Sequence, residues 1–164
     1  MNAVAPLAVR DVATADEMRK VGMALARHLR PGDLVVLSGG LGAGKTTLTQ
    51  GIGLGLGVRG PITSPTFVIA RVHPSMAGGP SLVHVDAYRI GAMREIDDLD
   101  LEASLEESIT VVEWGEGKVE QLADDRLEIV IEPRSVNGDD RSLAIWAIGA
   151  RWEDVTLLAD ASAQ

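Results

Sequence analysis

The 164-residue sequence has few aromatic residues and no cysteine. Its five aromatic side chains are too few to form a surface on which nucleic-acid bases stack. The absence of cysteine excludes disulfides, thiolate nucleophiles and thiolate zinc sites, and it fits a reducing compartment. We therefore expect a core of Val, Leu, Ile and Ala, and any role with nucleic acid must be indirect.

The sequence is also short of basic residues and of long apolar runs. Fifteen Lys and Arg stand against 24 Asp and Glu, and the net charge of −9 has the wrong sign for broad contact with a phosphate backbone. No apolar stretch approaches the roughly 18 residues of a membrane span, and the first residues do not resemble a signal peptide. We therefore expect a cytoplasmic protein with no membrane partner.

Length and composition favour a folded chain. With 46% hydrophobic residues the sequence can bury a core, and its length suits a single domain over residues 1–164. Within that domain, residues 1–6 and roughly 153–164 are expected to be terminal extensions.

Hydrophobic periodicity predicts interleaved helices and strands, which is typical of the α/β class. A T-x-x-E capping box at Thr14 and Glu17 predicts a helix to about Leu29, and a second helix is expected from Thr46 to Leu56. An acidic helix at Ala92–Ser108 presents either a solvated face or a docking surface. Weak alternation covers Leu7–Val12, and strands are predicted at Asp33–Ser38, Phe67–Val72, Ser81–Asp86, Thr110–Glu113, Leu127–Glu132 and Ser142–Ile148. The last two alternate and predict a hairpin at a sheet edge.

A glycine-rich segment between the second predicted strand and the second helix carries the clearest chemistry. GGLGAGKT satisfies the pattern G-x-x-x-x-G-K-[ST], in which backbone N–H groups and the helix N-terminus hold phosphates. Lys45 would reach the β- and γ-phosphates, and Thr46 would offer its hydroxyl to Mg²⁺. The alternative, a turn with an exposed lysine, does not explain why one of three lysines stands here. The predicted nucleotide-binding residues are Gly39, Gly40, Leu41, Gly42, Ala43, Gly44, Lys45, Thr46 and Thr47.

Two acidic residues end predicted strands. Asp86 follows the apolar run LVHV, where a carboxylate can hold magnesium, although a strand-end cap is the alternative. Glu113 follows TVV, from where a carboxylate can orient or deprotonate an attacking water; a capping or ion-paired glutamate is the alternative. Lys45 and Glu113 are therefore the candidate catalytic residues, and Thr46 and Asp86 the candidate metal ligands.

Several other patterns narrow the function. Thr66 lies in an S-P-T turn where a switch threonine could sense Mg²⁺ and the γ-phosphate. No N-K-x-D motif occurs, which disfavours a GTPase, and the LSGGL run overlaps the glycine-rich loop, unlike a transporter signature. The twelve arginines are scattered, with no downstream pair to form a phosphate-clamping lid.

Four motifs in this order resemble the TsaE-type (YjeE family) P-loop ATPases of bacterial tRNA threonylcarbamoyladenosine biosynthesis. The motifs are GGLGAGKTT (Gly39–Thr47), SPTF (Ser64–Phe67), HVDAYR (His84–Arg89) and VEWGE (Val112–Glu116). The resemblance implies a P-loop NTPase-like three-layer sandwich with a mainly parallel central sheet and antiparallel edge strands. It also implies a Mg²⁺-dependent ATPase that joins TsaB and TsaD and supports modification of adenosine 37 in tRNAs reading codons that begin with A. Such a protein contacts tRNA only indirectly, through the complex.

The resemblance also extends to single residues. It implies ATP and Mg²⁺ at Lys45, Thr46 and Asp86, and Trp114 matches a tryptophan near the nucleotide, with a buried core indole as the alternative. His84, Tyr88 and Arg89 match a motif whose role is left open, His84 alternatively being an interior strand residue. Leu99-Asp100-Leu101 departs from the family, which more often has glycine at the middle position, and the segment after Arg134 carries no motif.

Three functions remain open on the sequence. The first is an ATPase that serves as the energy-coupling subunit of a tRNA-modifying complex. The second is a small-metabolite kinase, which the scattered arginines disfavour. The third is a nucleotide-responsive binding module with little turnover.

Overall fold

The computed structural model describes residues 5–40, 44–62, 70–86, 106–113, 125–136, 138–153, 155 and 157. These residues form a mixed α/β structure in which strands and helices alternate along the first half of the chain. The elements are β1 (Ala8–Val12), α1 (Ala15–Ala26), β2 (Leu34–Ser38), α2 (Lys45–Leu56), β3 (Ala70–His73), β4 (Leu82–Asp86), β5 (Ile109–Glu113), β6 (Arg126–Pro133), β7 (Arg141–Ile148) and a 3₁₀ helix at Ala150–Trp152. No helix in the described part of the chain is long and apolar enough to span a membrane.

Helix α1 begins at the predicted capping box. The hydroxyl of Thr14 accepts a hydrogen bond from the backbone N–H of Glu17 at 3.1 Å, and the Glu17 carboxylate accepts one from the backbone N–H of Ala13. The helix ends at Ala26, before the predicted end at Leu29, because the backbone N–H groups of residues 27–29 bond to carbonyls only three residues back. Pro31 follows closely and disfavours a further helical turn.

Two glycines explain how α1 and α2 pack face to face. A Cβ atom at Gly51 would overlap the backbone carbonyl of Arg19, and one at Gly22 would overlap the carbonyl of Leu48. Glycine in a helix costs up to about 1 kcal/mol relative to alanine. The close approach of the two backbones offsets that cost, because it buries Leu48 and Ile52 completely against the sheet.

The seven described strands form one sheet in the order β1-β7-β6-β2-β5-β4-β3. Strand β2 lies parallel to both β5 and β6, and β4 lies parallel to β5, while β3, β7 and β1 pair antiparallel with their neighbours. The expected α/β class, with a mainly parallel centre and antiparallel edge strands, is therefore confirmed. The predicted hairpin of β6 and β7 forms, but it is not at the edge, since β1 adds outside β7.

One face of the sheet holds the main core with α1 and α2. Alternate residues of the strands point to this face, and the most deeply buried of them are Leu37, Leu82, Ile109, Val111, Leu127, Ile129, Ile131, Leu143 and Ile145. Leu157 packs into the same cluster, so the packed structure reaches into the stretch expected to be a C-terminal extension. Residues of the opposite face, including Val36, Val85 and Val112, are buried as well.

Two predicted elements fall partly outside the described residues. The strand predicted at Phe67–Val72 is described only from Ala70 and extends to His73. Of the helix predicted at Ala92–Ser108, residues 106–108 are described, and they form a turn and a bend. Residues 106–108 are therefore not helical. The carbonyl of Ser108 accepts a hydrogen bond from the backbone N–H of Gly32, and the next backbone N–H, that of Ile109, donates to the carbonyl of Ser81. The second helical layer of the predicted sandwich lies outside the described residues.

Candidate functional site

The candidate site lies at the carboxyl edge of the central strands. Strands β2, β4 and β5 are parallel, so their carboxyl ends meet at the same edge of the sheet. Asp86 and Glu113 end their strands opposite each other in register, and Glu113 is also opposite Leu37, one residue before the end of β2. The sheet therefore brings the glycine-rich loop after β2 beside both predicted carboxylates.

The described ends of the loop leave room for a phosphate. Gly44 precedes α2 with φ at +110°, a left-handed conformation that side chains rarely adopt. At Gly40, an added Cβ would meet no atom of the described residues within 4 Å, so these residues leave the space in front of the backbone open. Among the described residues no side chain caps the start of α2, and its first N–H groups and positive dipole end face this space.

Lys45, the first residue of α2, bends back over the loop. Its ammonium donates hydrogen bonds to the carbonyls of Gly39 at 2.7 Å and Gly40 at 2.9 Å, and the residue is only 5% exposed. Burial lowers the pKa of Lys45 below its ordinary value, while the negative charges of Glu113 and Asp86 raise it in part. The cation therefore interacts electrostatically with both strand-end carboxylates.

The two carboxylates are themselves nearly buried, with Asp86 6% and Glu113 4% exposed. His84, two residues before Asp86 on β4, hydrogen bonds through Nε2 to Oε2 of Glu113. Buried carboxylates are unfavourable without opposite charge or hydrogen bonds, which Lys45 and His84 supply to Glu113. A cluster of one lysine, two carboxylates and one histidine results.

These residues fit a magnesium ion that also contacts a nucleotide. The described residues contain no group of three or more His, Asp or Glu side chains able to hold a metal alone. Mg²⁺ in phosphate-transfer sites is commonly held by one or two protein oxygens together with phosphates and waters. Asp86 and the partly buried Thr46, next to Lys45, provide that smaller donor set.

Other predicted site residues lie outside the described part of the chain. They are Leu41, Gly42, Ala43, Thr66, Tyr88, Arg89 and Trp114. Thr47 is described and lies in the first turn of α2, half-buried. The contact between His84 and Glu113 was not foreseen. The one indication in the sequence is spacing: His84 lies two residues before Asp86, so both side chains lie on the same face of β4.

A cavity of about 320 Å³ lies on the α1 side of the loop. It is lined by Gly44 and Thr47 from the loop and α2, by Thr14 and Met18 at the start of α1, and by residues of the segment leading into β7. This volume falls within the usual range of small-molecule sites. The loop therefore has open space both in front of its backbone and beside the first turn of α2.

The sheet order, the glycine-rich loop and the following helix define an α/β protein with a P-loop type of architecture. The family model described as "Threonylcarbamoyl adenosine biosynthesis protein TsaE" matches residues 12–143. The chain belongs to the TsaE family.

Individual relatives agree with this assignment. A Streptomyces coelicolor protein named "tRNA threonylcarbamoyladenosine biosynthesis protein TsaE" is 59% identical over 147 residues, which cover 87% of this chain and 99% of the relative. A protein of the same name from Mycobacterium tuberculosis H37Rv is 47% identical over 136 residues, covering 79% and 80%. The crystal structure of YdiB from Bacillus subtilis superposes with a TM-score of 0.70 at 31% identity, over 89% of this chain and 88% of that one.

Proposed function

We propose that this protein is a Mg²⁺-dependent ATPase that supports TsaB and TsaD in forming N6-threonylcarbamoyladenosine at position 37 of tRNAs reading codons that begin with A. Membership of the TsaE family gives the chain a role in tRNA threonylcarbamoyladenosine biosynthesis. The ATPase activity and the two partner proteins are the parts that we propose beyond this role.

One observation carries the proposal. The P-loop lysine, Lys45, lies within electrostatic reach of Asp86 and Glu113, two buried carboxylates that end neighbouring parallel strands. A single lysine between two buried carboxylates suits a site in which a cation, a polyanion and a base must meet. This cation is also the lysine of the phosphate-binding pattern, which a capping or purely structural role for the two carboxylates would not predict.

The residues divide the chemistry of hydrolysis among them. The backbone of the loop and the Lys45 ammonium bind the phosphates, and Thr46 and Asp86 would hold Mg²⁺, which neutralises phosphate charge when bound. Glu113 accepts a proton from a water whose oxygen bonds to the γ-phosphorus. The bond from that phosphorus to the bridging oxygen breaks, and ADP leaves with the electron pair.

The cavity beside Gly44 and Thr47 suits the nucleoside end of ATP. Thr47 follows the two residues assigned to the terminal phosphates and Mg²⁺, so the chain of phosphates would run past it toward this cavity. The start of α1 and the segment before β7 would then flank the ribose and base. We assign the adenosine portion to this space as part of the same proposal.

The charge of the chain favours a protein partner over direct contact with tRNA. A net charge of −9 repels a phosphate backbone, whereas it does not hinder docking to other proteins. The twelve scattered arginines also offer no evident group to stabilise the transition state. We therefore expect the isolated protein to be slow and TsaB with TsaD to accelerate it.

ATP turnover measured with and without TsaB and TsaD tests this function, with Lys45→Ala as the matched inactive variant. We expect slow hydrolysis alone, faster hydrolysis in the mixture, and a loss of about tenfold or more in ATP affinity for Lys45→Ala. Binding of ATP without turnover in either condition would favour a nucleotide-responsive module. Phosphate transfer to an added metabolite would favour a kinase.

A further inference from the structure

His84 is a completely buried histidine that the proposed chemistry does not use. The residue is 0% exposed on β4, between Arg71 of β3 and Val111 of β5 in the sheet register. Its Nε2 atom hydrogen bonds to Oε2 of Glu113, and its Nδ1 atom is buried without a hydrogen-bond partner among the described residues. A buried polar side chain of this kind requires an explanation beyond packing.

The two nitrogen environments identify where the ring carries its proton. An ionised carboxylate only accepts hydrogen bonds, so Nε2 must donate to Glu113. A proton on the buried Nδ1 would leave an unsatisfied N–H donor, whereas a bare lone pair there is less costly. The arrangement therefore favours a ring whose Nε2–H donates to the Glu113 carboxylate.

We propose that His84 is a positioning residue that holds Glu113 in the orientation needed to accept a proton from water. His84 is the hydrogen-bond partner of Glu113 among the described residues, and it engages Oε2 alone. Among the described residues the carboxylate is thereby held at Oε2, and we expect Oε1 to accept from the water. This inference rests on the proposed function, because it requires Glu113 to act on water.

The position of His84 on the strand explains why a histidine suits this task. Register places His84 opposite Val111, two residues before Glu113, so both side chains project from the same face of adjacent parallel strands. The imidazole spans the distance to the carboxylate with a rigid ring that has only two rotatable bonds. A rigid donor loses less conformational freedom than a long flexible chain would when it fixes a partner.

Two substitutions with the same amide chemistry test the proposal. In His84→Gln the side-chain N–H stands near the former position of Nε2 and can reach Glu113, whereas in His84→Asn it stands near Nδ1 and cannot. The test compares kcat and KM for ATP at pH 8 with TsaB and TsaD present, and urea unfolding checks that each variant is folded. His73→Asn, a change at a buried histidine on β3 that hydrogen bonds to the Arg59 carbonyl, is the matched control.

We expect His84→Asn to lower kcat roughly tenfold or more with KM unchanged, and His84→Gln to restore most of the rate. His84→Asn should add no further loss when Glu113 is already Gln, since the histidine acts only through that carboxylate. Equal rates for Asn and Gln, or an additive loss in the double variant, would overturn the positioning role. A wild-type protein without turnover would instead contradict the proposed ATPase, which keeps the two failures distinguishable.

Discussion

Buried charged side chains lie at both the amino ends and the carboxyl ends of the parallel strands. The two groups differ in the hydrogen bonds that their charged atoms make. At the amino edge, before β2, Asp33 pairs with Arg151; we call these two residues the amino-edge pair. Both Asp33 oxygens accept from the guanidinium at 3.1 Å, and Oδ2 also accepts from the Arg30 backbone N–H at 2.8 Å. Arg151 in turn donates to the His28 carbonyl at 2.6 Å and lies 4.1 Å above the ring of Trp152.

The group at the carboxyl edge consists of Lys45, His84, Asp86 and Glu113, which we call the carboxyl-edge cluster. Its charged side chains are buried about as deeply as Asp33 of the amino-edge pair, but they have different hydrogen-bond partners. Lys45 is held by carbonyls of a loop, and Glu113 has one histidine contact among the described residues. A bidentate ion pair with additional hydrogen bonds to the backbone stabilises the fold. A cluster whose lysine and carboxylates lie beside a phosphate-binding loop can bind a ligand and react with it.

Arg151→Ala is expected to have the largest effect, and on stability alone. It would leave the Asp33 carboxylate buried without its counter-ion, which costs about 3 to 5 kcal/mol of unfolding free energy. Urea unfolding measures this loss, and ADP titration of the folded variant should find wild-type affinity. Arg134→Ala, which breaks an exposed pair with Asp11, is the control and should cost less than about 1 kcal/mol. A similar cost for both variants would remove the distinction between the amino-edge pair and ordinary surface pairs.

Glu113→Gln should lower turnover, in contrast to Arg151→Ala, which should lower stability alone. An amide keeps the shape of the side chain but cannot take a proton from water, so turnover with TsaB and TsaD present should fall about 100-fold or more. ATP affinity should stay near that of the wild type, because the carboxylate acts in the transition state. Turnover assays and calorimetric titration on the same preparations measure both quantities. Wild-type turnover in this variant would restrict the carboxyl-edge cluster to binding.

His73 should give the smallest effect, as a pH dependence of stability. It lies opposite Leu82 at the amino end of β4, and burial is the main reason why its pKa is lowered below the ordinary 6.5. The unfolded chain therefore binds a proton at a pH where the folded chain does not, so the unfolding free energy falls as pH drops below about 6.5.

His73→Asn retains an N–H near the position of Nδ1 but does not titrate. Urea unfolding of both proteins between pH 8 and pH 5 should therefore give a shallower decline for the variant. The hydrogen bond from Nδ1 to the Arg59 carbonyl, which raises the His73 pKa, and the positive charge of Arg71, which lowers it, are secondary influences. Parallel curves for wild type and variant would refute the lowered pKa.

The sequence predicted the elements of the sheet and the residues brought to its carboxyl edge, because both depend on local patterns. Alternation and apolar runs identify strands, and a carboxylate at the end of a parallel strand must lie at the shared edge. The pattern could not reveal that β1 covers β7, since pairing partners far apart in sequence leave no local mark. It also missed Arg151 as the partner of Asp33, 118 residues away.

The sequence predicts that His84 and Glu113 lie near the same edge of the sheet, but it does not predict the contact between them. Glu113 lies two residues beyond the register partner of His84. This offset can be deduced only when β4 and β5 are known to be adjacent and parallel. Helix ends were also misjudged, since α1 stops at Ala26 through a change in hydrogen bonding that apolar spacing does not record. Spacing thus identifies which residues share a face, while sheet order decides which of them meet.

The most direct test of the carboxyl-edge cluster is calorimetric titration of ATP with Mg²⁺ and with EDTA, for the wild type and for Asp86→Asn. The amide keeps the shape of the aspartate and removes the charge that would face the metal. We expect the wild type to bind ATP more tightly with Mg²⁺, and the folded Asp86→Asn protein to lose that gain while it still binds ATP in EDTA. A folded wild type that does not bind ATP, or a variant that keeps the full gain from Mg²⁺, would contradict a magnesium-nucleotide site at this edge of the sheet.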